Sequence, residues 1–224
     1  MSAPTAVPTP TYRVSALATA LVRMWRAWSV ILLVSLADAI IQVALVLAAR
    51  SATSYAVFLL LAAVSYLGLV LSFGLVCRAL LDSLDGRPVA LRELMRETGR
   101  RFPALLAWSL AIVALATLGL LLYVVPGLIV LALFPYLLIA VVDAKANPLA
   151  VNFRTIAARW GRWIITAVIV GVIAFGIWLA AALDTFFLRT MPGLLAAWVL
   201  IGLVASWVIC AWLLIYRGVN PTDT

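Results

Sequence analysis

Long stretches without a charge alternate along this chain with short stretches dense in arginine. Apolar residues run from 29 to 49, broken only by Asp38 and Gln42, and again from 54 to 77. A charge-free run then extends from Phe102 to Val142. A helix needs about 20 apolar residues to cross the hydrocarbon core of a bilayer, so this run is too long for one crossing and suits two. Pro126-Gly127 lies near its middle, and a Pro-Gly pair is a strong turn signal. It divides the run into 103–125 and 128–142, the second kinked at Pro135. Two further runs cover 163–182 and 194–216, with Pro192-Gly193 between them. Barrel strands would alternate in polarity, and these runs do not. The pattern predicts an all-α polytopic membrane protein. One domain over 11–217 carries six transmembrane helices as three hairpins, with tails at 1–10 and 218–224.

A basic, amphipathic stretch precedes each hairpin. In the first, Leu17, Leu21, Met24, Trp25 and Trp28 share one helical face, and Ser15, Thr19, Arg23 and Arg26 another. In the second, Leu91, Leu94, Met95 and Phe102 oppose Arg92, Arg96 and Arg100. In the third, Leu149, Phe153, Ile156, Trp160 and Trp163 oppose Asn152, Thr155, Arg159 and Arg162. Steps of three and four residues place these sets on common faces. Such amphipathic helices lie flat in the headgroup layer, with arginine toward anionic lipid and tryptophan at the boundary. The first could equally be a straight extension of span one. Pro88-Val89-Ala90 and Pro148-Leu149-Ala150 open the second and third units alike, a faint sign of internal repetition.

Composition agrees with lipid as the solvent. Hydrophobic residues make up 67% and charged residues 11%, against about half and about a quarter in soluble domains. The net charge of +8 would suggest nucleic acid in a soluble protein, but here the arginines flank apolar runs. One set of flanks holds Arg13, Arg23, Arg26, Arg78, Arg87, Arg92, Arg96, Arg100, Arg101, Lys145, Arg154, Arg159, Arg162 and Arg217. The other set holds only Arg50 and Arg189. That asymmetry puts both termini in the cytoplasm, in a multi-pass cell-membrane protein. There is no His, and Cys77 and Cys210 form no CxxC pair. No P-loop, GxSxG or HExxH occurs, so neither an enzyme, a metal site nor a cofactor is expected.

The stretch from Leu118 to Ile165 carries a more specific signature. Val125-Pro126-Gly127 is followed by Asp143, then Asn147-Pro148-Leu149-Ala150, Thr155 and Arg159-Trp160-Gly161-Arg162-Trp163. This order resembles the stand-alone YciC-type membrane proteins of bacteria. It also resembles the membrane domain that some bacteria fuse to glycerophosphodiester phosphodiesterases. The family often has Glu where Asp143 stands and Ser where Thr155 stands. The resemblance implies a six-helix inner-membrane domain of ill-defined role. The phosphodiesterase activity of fused relatives belongs to a separate soluble barrel and is not implied.

Several residues are candidates for function. Asp38 lies mid-span with Gln42 one turn later on the same face. An unpaired charge there is costly, so the pair is either an ion, proton or substrate site or a buried, hydrogen-bonded structural group. Asp143 is expected to latch onto Arg159 or Arg162, and Asp184 onto Arg189. Pro126 and Gly127 are expected to form an outer turn. Arg92, Arg96, Arg100, Arg101, Arg154, Arg159 and Arg162 form a basic collar suited to anionic headgroups or an acidic partner surface. The favoured expectation is a non-enzymatic membrane scaffold or accessory protein. It would bind anionic lipid, and a membrane protein partner or a second copy, through that collar. A small permease-like protein using a polar path around Asp38 and Gln42 is the alternative.

Overall fold

The computed structural model describes residues 15–50, 54–122, 124–169, 171–172, 176 and 191–220. These form helices α1 (Ser15–Trp25), α2 (Trp28–Arg50), α3 (Tyr55–Leu84), α4 (Leu91–Leu122), α5 (Val124–Leu133), α6 (Leu137–Val142), α7 (Pro148–Ala158), α8 (Trp160–Ile169) and α9 (Met191–Arg217). The described residues contain no strand. Four helices, α2, α3, α4 and α9, are long and apolar enough to cross a membrane. The Asp184–Arg189 pair, Arg13, the tail at 1–10 and the far part of span 163–182 lie outside the described residues.

Helix α2 packs on α3 and α9, α3 on α4, and α4 on α5 and α6; α1 lies against α9 and α3, and α7 against α6. Between apolar helices in lipid, close packing rather than water exclusion supplies most of the attraction, so small residues mark the contacts. Gly202 of α9 meets α2, where an added Cβ would lie 2.9 Å from Ser35 Oγ. Gly74 of α3 meets α4, where a Cβ would lie 2.7 Å from Thr98 Cγ2.

The core is concentrated at one end. Buried residues of α3 begin at Val70 and finish at Ser83. They join Tyr136 and Ile139 of α6 and Leu213 and Tyr216 of α9 in a single cluster. The first two turns of α3, by contrast, are exposed from Tyr55 to Leu60.

Three expectations about local structure are corrected. Pro126-Gly127 does not form the turn after α4, because both residues lie inside the first turns of α5. A proline is tolerated there because a first-turn N–H has no helical acceptor. Gly127 instead brings α5 against α4: a Cβ on Gly119 would lie 2.8 Å from Gly127 Cα, and one on Gly127 2.9 Å from Leu120 N. The second basic stretch is not a separate flat helix, since α4 runs unbroken through Pro103 for 32 residues. At 1.5 Å per residue it is about 48 Å long, well beyond a core of about 30 Å, so its arginines ride on the first turns of a helix long enough to cross a membrane and extend past it. The stretch 128–142 is no continuous helix: the chain breaks at Phe134-Pro135-Tyr136 between α5 and α6, at the proline where a kink is expected. The first stretch, left open as an extension, is a separate helix: a turn at Arg26-Ala27 parts α1 from α2.

Candidate functional site

At the end where the core is concentrated, α3 and α6 terminate in the same way. Each has an aspartate at its C-cap, Asp85 and Asp143. Each is followed by a left-handed residue, Gly86 at φ 73° and Ala144 at φ 60°. In α3 the Arg87 N–H reaches Asp82 O at 2.8 Å, and in α6 the Lys145 N–H reaches Ala140 O at 3.1 Å. These are the six-to-one bonds of a Schellman ending, which satisfies carbonyls that would otherwise be stranded. The two carboxylates then meet one guanidinium. Arg217, the last residue of α9, donates through Nη2 to Asp85 Oδ2 and Asp143 Oδ1, both at 2.9 Å. Its Nη1 donates to Asp143 Oδ2 at 3.0 Å, and the Tyr216 hydroxyl donates to the same oxygen at 2.8 Å. Lys145 stands 3.8 Å from Asp143. Asp143 is therefore a latch, but one that closes on α9 rather than on Arg159 or Arg162.

A second ion-pair set adjoins the first. Arg78 holds Asp82 through Nε and Nη2, each at 3.2 Å, and approaches Glu97 of α4 at 3.7 Å. Arg87 lies 3.7 Å from Asp82 and 3.6 Å from Asp85. Together these contacts fasten α3, α4, α6 and α9 at one end.

The break between α5 and α6 is filled by side chains of the later signature. Pro135 has no N–H, and Tyr136 and Leu137 no longer donate four residues back. Asn152 of α7 accepts from the Tyr136 N–H at 3.0 Å and donates to Leu133 O at 2.8 Å. The Trp163 indole donates to Ala132 O at 2.9 Å. Trp163 is thus a cap on a broken helix. Asn147 caps α7 by accepting from the Ala150 N–H at 3.0 Å. Thr155 accepts from the Asn220 amide at 2.9 Å, and Arg154 donates to the same Asn220 side chain. Most polar members of the Asp143–Trp163 stretch are thereby assigned a contact.

Farther along α2, Asp38 and Gln42 face α3. Ser72 Oγ donates to Asp38 Oδ1 at 3.2 Å, and Gln42 Nε2 donates to the same oxygen at 3.4 Å. Gln42 also accepts from the Ser65 hydroxyl at 2.5 Å and donates to Ser65 O at 3.3 Å. Gln42 is buried and Asp38 only half-buried. Asp38 borders a partly open cavity of 140 Å³ between α2, α3 and α9, whose wall includes Ser35, Ser72, Phe73, Trp198 and Ser206.

Comparison with protein-family models, curated proteins and solved structures finds no match to this chain.

The expected collar divides into unequal parts. Arg92, Arg100 and Arg101 are exposed on α4 with no acidic partner among the described residues. Arg96 pairs with Glu93 at 3.2 Å. Arg154 is committed to Asn220, Arg159 follows α7 as its C-cap, and Arg162 is half-buried on α8. Sequence reasoning missed Asp82, Asp85 and the internal role of Arg78, Arg87 and Arg217. The i, i+4 spacing of Arg78 and Asp82 was a usable signal. Pairing Arg217 with Asp85, 132 residues away, had none.

Proposed function

We propose that this chain is a non-enzymatic, multi-pass membrane protein of accessory or scaffold type. On this reading its exposed arginines hold anionic lipid headgroups at the cytoplasmic face, and both termini lie on that side. One observation carries it. Arg78, Arg87 and Arg217 are consumed by Asp82, Asp85, Asp143 and Glu97, whereas Arg92, Arg100 and Arg101 stand exposed with no acidic partner among the described residues. Internal acids thus neutralise the arginines that build the fold and leave a basic patch on α4. Near a membrane surface each such arginine contributes about 1 kcal/mol toward anionic lipid.

The fuller reading keeps six crossings. In it the broken α5–α6 segment and the segment beginning at α8 supply the two crossings beyond the four long helices, and the chain is a relative of the YciC-type membrane proteins. A docking surface for a membrane protein partner, or for a second copy, fits the same patch.

Native mass spectrometry of the full chain, purified in mild detergent with a mixture of phosphatidylglycerol and phosphatidylethanolamine, tests the lipid claim. The expected result is preferential retention of the anionic lipid. Replacing Arg92, Arg100 and Arg101 together by Gln should weaken retention by about 100-fold, at about 1 kcal/mol per arginine. Equal retention by the well-folded triple variant sinks the proposal. The cavity beside Asp38 favours a second reading, a small permease-like protein.

A further inference from the structure

Asp38 is the only acidic residue of α2, and among the described residues no basic side chain pairs with it. Its Oδ1 accepts from Ser72 and Gln42, while Oδ2 accepts no hydrogen bond among the described residues. An ionised carboxylate within an apolar span is costly unless something compensates the charge. Space for a compensating group lies directly beside it, in the 140 Å³ cavity between α2, α3 and α9.

The walls restrict what that group can be. Val34, Leu69, Val76, Ile201 and Ile209 make the wall largely apolar. An alkali ion stripped of water needs a full shell of oxygens; besides Asp38 the lining side chains offer only the hydroxyls of Ser35, Ser72 and Ser206, and those of Ser72 and Ser206 are already engaged with Asp38 and Gly202 O. An anion would meet the Asp38 carboxylate. A neutral apolar molecule would leave that carboxylate uncompensated. A monocation with an apolar surface suits both the carboxylate and the mostly aliphatic lining. Its charge would face Asp38 and its carbons the aliphatic side chains, while Trp198 and Phe73, which also line the cavity, are of the ring type that attracts ammonium groups. The volume is enough for a small organic ion, because an apolar cavity of about 150 Å³ holds a molecule as large as benzene.

We propose that this cavity is a binding site for a small organic monocation of the alkylammonium or quaternary ammonium class. Asp38 is the counterion, and Trp198 and Phe73 are the aromatic walls. Ser72 and Gln42 hold the carboxylate in place. The site is separate from the arginine patch on α4, so the two proposals stand or fall independently.

Equilibrium dialysis of the full chain in nanodiscs with radiolabelled tetramethylammonium tests it, with tert-butanol as an uncharged competitor of similar shape. Wild-type protein should bind the cation saturably at one site, and tert-butanol should not displace it. Asp38→Asn should weaken binding by about 100-fold or more, as expected for losing a charge pair at short range. Trp198→Leu should weaken it by about 3- to 30-fold. Ala205→Phe, which fills the cavity from α9 and leaves Asp38 intact, should abolish it. Absence of saturable binding to wild type, displacement by tert-butanol at equal concentration, or undiminished binding by folded Asp38→Asn would each overturn the proposal. If Asp38→Asn does not fold, wild-type affinity in Ala205→Phe overturns it instead.

Discussion

Replacing Arg217 by Met removes one guanidinium and leaves two carboxylates that were built around it. The Asp85 and Asp143 side chains are 9% and 10% exposed, and that of Arg217 is 14% exposed. Water therefore reaches little of the cluster. Removing one member of a buried ion pair costs about 3–5 kcal/mol, because the remaining charge is stranded. Partial relief is available here: the Tyr216 hydroxyl, 2.8 Å from Asp143, Lys145 at 3.8 Å and Arg87, 3.6 Å from Asp85, all stay in place. The loss should therefore fall near the lower limit, about 3 kcal/mol. Equilibrium unfolding in mixed micelles, followed by circular dichroism over a denaturing-detergent titration, measures it. A companion variant separates stranded charge from lost packing. Arg217→Met combined with Asp85→Asn and Asp143→Asn removes all three charges and should recover most of the loss, since neutral replacements for a buried ion cluster are often tolerated. Arg92→Met, an exposed control, should change stability by no more than about 0.5 kcal/mol. A loss below about 1 kcal/mol for Arg217→Met, or a triple variant no more stable than the single one, refutes the stranded-charge argument.

Asn152→Ala strands the Tyr136 N–H and the Leu133 carbonyl, and should cost about 2–4 kcal/mol in the same titration. Gly127→Ala forces a methyl group against the backbone of α4 and should cost about 1–3 kcal/mol, with the same loss expected for Gly119→Ala. Ala144 occupies a left-handed conformation at φ 60°, so Ala144→Gly should stabilise the protein by about 1 kcal/mol, read as a higher unfolding midpoint. Gly86→Ala, at the matching position after α3, should move the midpoint the opposite way.

The helical, membrane-like character was legible because it rests on one signal, the length of charge-free runs. Helix ends and breaks were less legible, because several outcomes share one residue pair. Pro126-Gly127 carries a turn signature, yet both residues lie inside α5, and the glycine is needed for contact with Gly119 and Leu120. The proline merely occupies a first turn where it does no harm. Pro103 reads as a boundary, yet α4 passes through it at the expense of one backbone bond. Pro135 does interrupt its helix, and there Asn152 and Trp163 stand ready to take the released backbone groups. The difference between Pro103 and Pro135 is thus set by residues distant in sequence, which periodicity does not register.

The arginines teach the same lesson about charge. Counting them by flank treats Arg217 and Arg101 alike, although one lies inside an ion cluster and the other on an open surface. What distinguishes them is whether an acid can reach them, and that depends on how helix ends are brought together. Asp85 and Asp143 each follow the last turn of their helix, where the helix dipole already favours a cation. Two such ends side by side make a strong demand for positive charge, and Arg217 at the end of α9 meets it. Asp38 has no equivalent among the described residues. It sits far from any helix end, its hydrogen bonds come from neutral Ser72 and Gln42, and space rather than a cation lies beside it. An acid whose charge the fold answers internally belongs to the architecture. An acid whose charge the fold leaves open, next to a cavity, is where a ligand has reason to bind.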